Sequence, residues 1–241
     1  MTGNGKKTMQ LDQLLSAQNV GSRKDVSKWI RNGAASVNGL KVRSPEHKVC
    51  PDIDVVCFKG QEIVYRQYLY IMMNKPAGVL SASRDKKSRT VLDLVPSPLN
   101  RRGLFPAGRL DKDTTGLLII TDDGDFAHRM LSPKKHVYKQ YKAKLERPVT
   151  AQDVKAFADG VRYGDIRYAP ARLQTDQDGD LAVVEVYEGK FHQVKRMFEA
   201  LDNRVLQLKR VQIGALTLSA DLEEGMCREL SRQEALKALE Q

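Results

Sequence analysis

Eleven consecutive residues, Gly108-Arg109-Leu110-Asp111-Lys112-Asp113-Thr114-Thr115-Gly116-Leu117-Leu118, bring together a carboxylate, an arginine and the start of an apolar run. Asp111 falls in a polar turn, and Leu117 to Ile120 follow at once. A charged group at the lip of a buried element is held rigidly yet stays reachable, which suits a nucleophile or a general base. With a reference pKa of about 3.9, an aspartate is already ionised at neutral pH. Burial would raise that pKa and blunt the group, and a neighbouring cation would offset the burial.

Metal chemistry finds little support in the residues. The four histidines have no ligand spacing. Asp176-Gln177-Asp178-Gly179-Asp180 begins like a calcium loop, but its twelfth position is Tyr187 rather than glutamate, so a turn is expected there. The Asp111-Lys112-Asp113-Thr114-Thr115 run also fits an Asp-x-Asp-x-Thr phosphatase motif. In that motif an apolar strand precedes the aspartate; here the apolar run comes after it, so the order is wrong. Neither a dinucleotide fingerprint nor a P-loop is present, and no cofactor is expected.

The charge balance indicates what the carboxylate acts on. The chain of 241 residues carries a net charge of +10. Residues 1–66 hold 11 Lys and Arg against 6 Asp and Glu, so half the excess lies in about the first quarter of the chain. Such concentration favours a polyanion, nucleic acid before membrane. Cys50, Cys57 and Cys227 form no Cys-x-x-Cys pair and read as reduced thiols. Met1 to Met9 is polar and lacks the apolar core of a signal peptide, and no run of 18 apolar residues exists. A cytoplasmic, non-membrane protein is expected.

Residues 8–62 read as a separate basic module. Leu11, Leu14 and Leu15 form a helical stripe that fades at Asn19 and Gly21. Ser22 with Asp25 three residues on starts a second helix, which stops at Gly33. At 100° per residue, Val26, Trp29 and Ile30 share one side of this helix; Lys24, Lys28 and Arg31 gather roughly opposite. Val37-Asn38-Gly39-Leu40-Lys41-Val42 has the pattern of a hairpin turned at Asn-Gly. This module resembles the alpha-L RNA-binding motif through Leu11-Asp12, Ser22-Arg23, Arg31-Asn32-Gly33 and Val37-Asn38-Gly39. The resemblance implies RNA contacts from Arg23, Lys24, Lys28, Arg31 and Lys41. It departs at Gln10, where the motif more often has a basic residue.

A boundary near residue 66 leaves 67–241 as the larger unit. Leu69 to Met73, Leu117 to Thr121, Tyr138 to Leu145 and Leu181 to Tyr187 read as strands, the last entered through the Asp178-Gly179 turn. Asn74-Lys75-Pro76-Ala77-Gly78 is expected to be a turn. Thr150 with Asp153, and Ser231 with Glu234, are capping-box helix starts, and Val194, Met197, Phe198 and Leu201 are the apolar stripe of another helix. Mixed short strands with intervening helices argue for an α+β fold with a mixed, mainly antiparallel sheet and flanking helices.

Gly108-Arg109-Leu110-Asp111 with Thr115-Gly116-Leu117-Leu118 resembles the signature of RNA pseudouridine synthases. Asn74 to Gly78 is similar to that family's first motif, Lys139-Gln140-Tyr141 to its tyrosine motif, and Glu188 to Phe198 to its third. With the basic module in front, the chain resembles the RsuA-type branch, which isomerises uridine in ribosomal RNA. His192-Gln193-Val194-Lys195-Arg196-Met197-Phe198 is worded more like the small-subunit members than the large-subunit ones. The resemblance implies Asp111 as catalytic carboxylate and Lys195 as its cation. It also implies that Arg109 holds the flipped-out nucleotide, Tyr141 stacks on the uracil, and Val194 touches the base. Lys75 joins the substrate-binding set, its expected part being to shape the turn. The implied partner is ribosomal RNA, free or in a partly assembled subunit, bound by a monomer. A large-subunit target and a non-catalytic assembly protein are the alternatives. Arg84, Lys86, Lys87, Arg89, Arg101 and Arg102 either extend the RNA track or form a solvated loop.

Overall fold

In the computed structural model, which describes residues 8–97, 99–176 and 181–240, the backbone divides into two units. One reaches Tyr68 and takes in Asn100–Arg102; the other holds Leu69–Leu99 and continues from Gly103. The expected turn at Asp178-Gly179, with the calcium-like segment around it, lies outside the described residues.

The first unit packs two helices, α1 (Leu11–Ala17) and α2 (Arg23–Arg31), on a small sheet of β1 (Ala35–Val37), β2 (Leu40–Val42), β3 (Val56–Phe58) and β4 (Gln61–Glu62), in the order β2-β1-β3-β4. The Ser22 side chain accepts the Asp25 N–H and opens α2 as its sequence requires. Leu11, Leu14, Leu15, Val26 and Ile30 are buried together, and Trp29 leans on Phe58 with ring centroids 5.7 Å apart. Asn38 and Gly39 both have positive φ, 50° and 80°, which makes the two-residue hairpin turn between β1 and β2.

The second unit is built on a nine-stranded sheet. Its strands are β5 (Tyr70–Lys75), β6 (Phe105–Ala107), β7 (Thr115–Thr121), β8 (Lys139–Leu145), β11 (Arg172–Thr175), β12 (Leu181–Val186), β13 (Val205–Ile213), β14 (Leu216–Thr217) and β15 (Cys227–Leu230). The main order is β11-β12-β8-β13-β7-β5-β15, with β6 beside β7 and β14 beside β13. A separate hairpin, β9 (Arg162–Tyr163) with β10 (Ile166–Arg167), precedes β11. Helices α3 (Gly124–Leu131), α4 (Ala151–Asp159), α5 (Gln193–Glu199) and α6 (Arg232–Leu236) flank the sheet, and α4 and α6 open with the expected capping boxes. Among the described residues no helix is long and apolar enough to cross a membrane. The cysteines are free; Cys50 is buried, and Cys57 and Cys227 are half-buried.

Strand β7 explains the apolar run after Asp111. Leu117 and Ile119 pack with Tyr70, Met72 and Phe126 on one face, while Leu118 and Ile120 pack with Ile71, Met73 and Val91 on the other. A strand buried on both faces needs no polar alternation. Strand β5 differs from expectation: instead of turning at Asn74 it continues through Lys75, pairing Asn74 with Leu117 and Lys75 with Gly116. The extra two residues place the Lys75 ammonium where it finds backbone carbonyls.

Most neighbouring strands run antiparallel, but β13 and β7 pair in parallel, Lys209 with Thr115 and Arg210 with Gly116. At this join Gly116 has φ +99°, and a Cβ there would sit 2.2 Å from the Arg210 carbonyl oxygen. Gly116→Ala is therefore expected to cost about 3 kcal/mol or more, from backbone strain plus overpacking. Urea unfolding measures it; an unchanged midpoint would show that the two strands can part without penalty.

Candidate active site

Asp111 lies on the loop between β6 and β7, and Lys75 fixes that loop from beneath. The Lys75 side chain is fully buried, and its Nζ donates to the carbonyls of Pro76 (3.0 Å), Asp111 (3.1 Å), Lys112 (3.3 Å) and Thr114 (2.9 Å). Burial pushes its pKa down to about 8, and the nearby Asp113 and Asp111 carboxylates oppose that shift. The Gly78 N–H donates to the Lys112 carbonyl at 2.7 Å. The Ser81 hydroxyl donates to the Leu110 carbonyl and accepts the Leu110 N–H, both at 3.0 Å. These bonds account for why Asn74 to Gly78 precedes Asp111 in sequence and underlies it in space. Lys75 has no exposed surface to offer a ligand. Its contacts shape the turn beneath Asp111.

Helix α5 and the residue before it supply two basic side chains around the carboxylate. Lys195 Nζ stands 3.3 Å from Asp111 Oδ2 and 2.6 Å from Asp113 Oδ1, so it bridges two carboxylates. Its hydrogen bond holds the Asp113 carboxyl below the ordinary range. The point contact expected of a lysine at Asp111 is present, but it is shared. His192 stands just before α5. It sits at the helix N-cap with φ 52°, stacks on Phe191 with centroids 3.8 Å apart, and brings Nε2 to 3.5 Å from Asp111 Oδ1. The Asp111 side chain remains 27 % exposed: it is approached by two bases and stays open to a ligand.

That opening faces a cleft of about 700 Å³ whose walls include Arg109, Asp111, Lys139, Tyr141, Val194 and Arg210. Tyr141 comes from β8, and its ring also packs among the buried side chains of the sheet. Val194, 4 % exposed, serves the α5 core stripe and the cleft wall together. Arg109 is exposed at the cleft and makes no ion pair with a described residue. Four of the six expected site residues, Arg109, Asp111, Tyr141 and Val194, thus line one cavity; Lys195 touches Asp111, and Lys75 lies beneath.

Two cleft residues escaped sequence reasoning. Lys139 and Arg210 are 6 % and 5 % exposed, and burial beside Arg210 lowers the Lys139 pKa to about 8. Lys139 stood in the sequence as part of the tyrosine motif. Arg210 hid in a strand whose polar residues obscured its alternation, although Leu208 and Arg210, two apart, are both buried.

Of the basic residues expected to bind RNA, Lys24, Lys28, Arg31 and Lys41 are exposed. Arg23 is engaged within its own unit, its Nε 2.9 Å from Asp12 Oδ2 and its Nη2 2.5 Å from the Gln10 side-chain oxygen. Arg84 to Arg89 form an exposed turn in which Asp85 accepts the N–H groups of Lys87 and Ser88.

A basic helical module in sequence ahead of an α+β sheet, with an open carboxylate set among cations, defines an RNA-modifying enzyme. Family comparison agrees: residues 69–200 match the RNA pseudouridylate synthase family and residues 9–55 the S4 domain. An uncharacterized RNA pseudouridine synthase of Bacillus subtilis is 41% identical over 230 residues, covering 94% of this chain and 96% of its own. The ribosomal small subunit pseudouridine synthase A of Escherichia coli is 38% identical over 229 residues, covering 94% and 98%. A crystal structure of a pseudouridylate synthase, 35% identical, superposes with a TM-score of 0.65 over 95% of this chain and 99% of its own. The chain belongs to the RNA pseudouridylate synthase family and carries an S4 domain at its front.

Proposed function

We propose that this enzyme converts one uridine of small-subunit ribosomal RNA to pseudouridine, with Asp111 as the catalytic carboxylate and no cofactor. The observation that carries the reading is the Asp111 carboxylate itself, held beside Lys195 and His192 and open to a cleft whose wall contains Tyr141. The small-subunit assignment is supported by the match, over 94% of this chain, to the ribosomal small subunit pseudouridine synthase A of Escherichia coli.

The reaction breaks the bond between C1′ of the ribose and N1 of the base, and forms one between C1′ and C5. The C5 hydrogen leaves as a proton and N1 gains one, so nothing is added overall. A carboxylate serves in two ways, as nucleophile at C1′ of the sugar or at C6 of the base, and later as the base that removes the C5 proton. A target inside folded RNA must first leave its stack, and Tyr141 gives the extruded uracil an aromatic surface in exchange. Arg109, exposed at the rim, is suited to the phosphate that follows the base out.

Mapping pseudouridine across both ribosomal RNAs, in cells with and without the protein, tests the assignment. One position in the small-subunit RNA should revert to uridine. Loss of a large-subunit position instead would move the target. No loss in either RNA would favour the assembly-protein alternative.

A further inference from the structure

We propose that Arg210 reads O4 of the target uracil and holds the negative charge that gathers there during the rearrangement; this deepens the reading of the cleft given above. Arg210 is 5 % exposed and lines the same cleft as Asp111 and Tyr141. Among the described residues its guanidinium makes one hydrogen bond, from Nε to the Leu117 carbonyl at 2.8 Å, and Nη2 is buried with no partner. An arginine has five N–H donors, and leaving buried donors unmet costs free energy. Lys139 beside it donates to the Tyr187 carbonyl at 3.1 Å, and neither cation has a carboxylate partner among the described residues. The Thr114 hydroxyl, also on the cleft wall, is a second buried polar atom without a partner. This part of the cleft is therefore polar, cationic and unsatisfied.

Strand register says which part of a nucleotide reaches it. Tyr141 on β8 lies directly across from Arg210 on β13, and cross-strand partners project from the same face of a sheet. A uracil lying on the Tyr141 ring thus presents an edge to Arg210. A phosphate is poorly placed to reach so enclosed a group, because the RNA chain must leave it in both directions; the exposed Arg109 is the phosphate's partner.

The chemistry favours a cation at O4 by either route. Carboxylate addition at C6 pushes the C5–C6 electron pair through C4 onto O4. Breaking the glycosidic bond leaves its electron pair on N1, from which it spreads through the ring to O2 and O4. Removing the C5 proton after the new C–C bond forms again loads O4. A fixed donor in a water-poor site stabilises such charge without reorganising. The same donor excludes cytosine, whose N4 amino group is itself a donor and would face Arg210 with no acceptor.

The test is a two-by-two comparison of single-turnover rates, wild type against Arg210→Met, on the mapped target RNA carrying uridine or 4-thiouridine. Sulfur is the weaker acceptor, so the wild type should slow at least about tenfold on the thio substrate. The variant should lose about 10²–10³-fold on uridine, as when one oxyanion donor is removed. RNA affinity should hold, and the variant's thio penalty should shrink below about threefold. If the methionine variant does not fold, Arg210→Lys is read in the same comparison, where a smaller thio penalty than in the wild type is again required. An equal penalty in wild type and variant, or a variant as fast as the wild type on uridine, overturns the proposal while leaving the pseudouridine assignment intact. A wild type that makes no pseudouridine from uridine would instead sink the assignment on which it rests.

Discussion

Replacing Asp111 by asparagine is expected to leave RNA affinity near the wild-type level and to remove pseudouridine formation by a factor on the order of 10⁴ or more, the scale seen when a nucleophile is deleted. The substitution is nearly isosteric. It leaves the backbone carbonyl of residue 111 available to Lys75, and Lys195 keeps Asp113 at 2.6 Å. The loop should hold its shape, so the loss would report the carboxylate and not its support. Product formation is read by isotope release from C5-labelled uridine, and affinity by filter binding on the same RNA. Unchanged product would remove Asp111 from the mechanism. Lost affinity with lost product would mean the carboxylate organises the RNA rather than reacting with it.

The second large effect concerns the S4 domain. Lys24, Lys28, Arg31 and Lys41 are exposed, and their charged ends make no ion pair with a described residue. Each one that neutralises a phosphate releases a counterion, and on single-stranded RNA each contributes about 0.7 to the slope of log affinity against log salt. Changing all four to glutamine should therefore flatten that slope by about 2.8, which at 0.1 M salt corresponds to about a 600-fold loss of affinity. Arg23 is left out because its guanidinium already closes the Asp12 carboxylate, 6 % exposed, against α2. Removing it would confuse a folding defect with an RNA defect. An unaltered slope in the four-fold variant, with unchanged melting, would assign those charges to some task other than phosphate binding.

Sequence reading succeeded where one residue type has one physical use. Asn38-Gly39 had to be a tight hairpin turn, Thr150 with Asp153 and Ser231 with Glu234 had to open helices, and Leu117 to Ile120 had to be an interior strand. It was blind to Val205–Ile213, the nine-residue strand that carries Arg210, because Gln207, Lys209, Arg210 and Gln212 break the apolar alternation. An arginine reads as solvated until a cavity beside it is known. For Lys75 the sequence suggests a turn-shaping part, but no pattern announces that four carbonyls converge on it. Lys195 and Asp113, 82 positions apart, likewise needed the fold to bring them together.

Lys75 has one more consequence. It grips the loop of Asp111 through main-chain oxygens, and a main-chain oxygen is the same whichever amino acid bears it. Curvature at the reactive position is thereby uncoupled from the identity of Lys112, whose own side chain is free to be exchanged in evolution or by design. At Lys112 the exchangeable side chain and the fixed carbonyl belong to one residue, seen from the outside and from below.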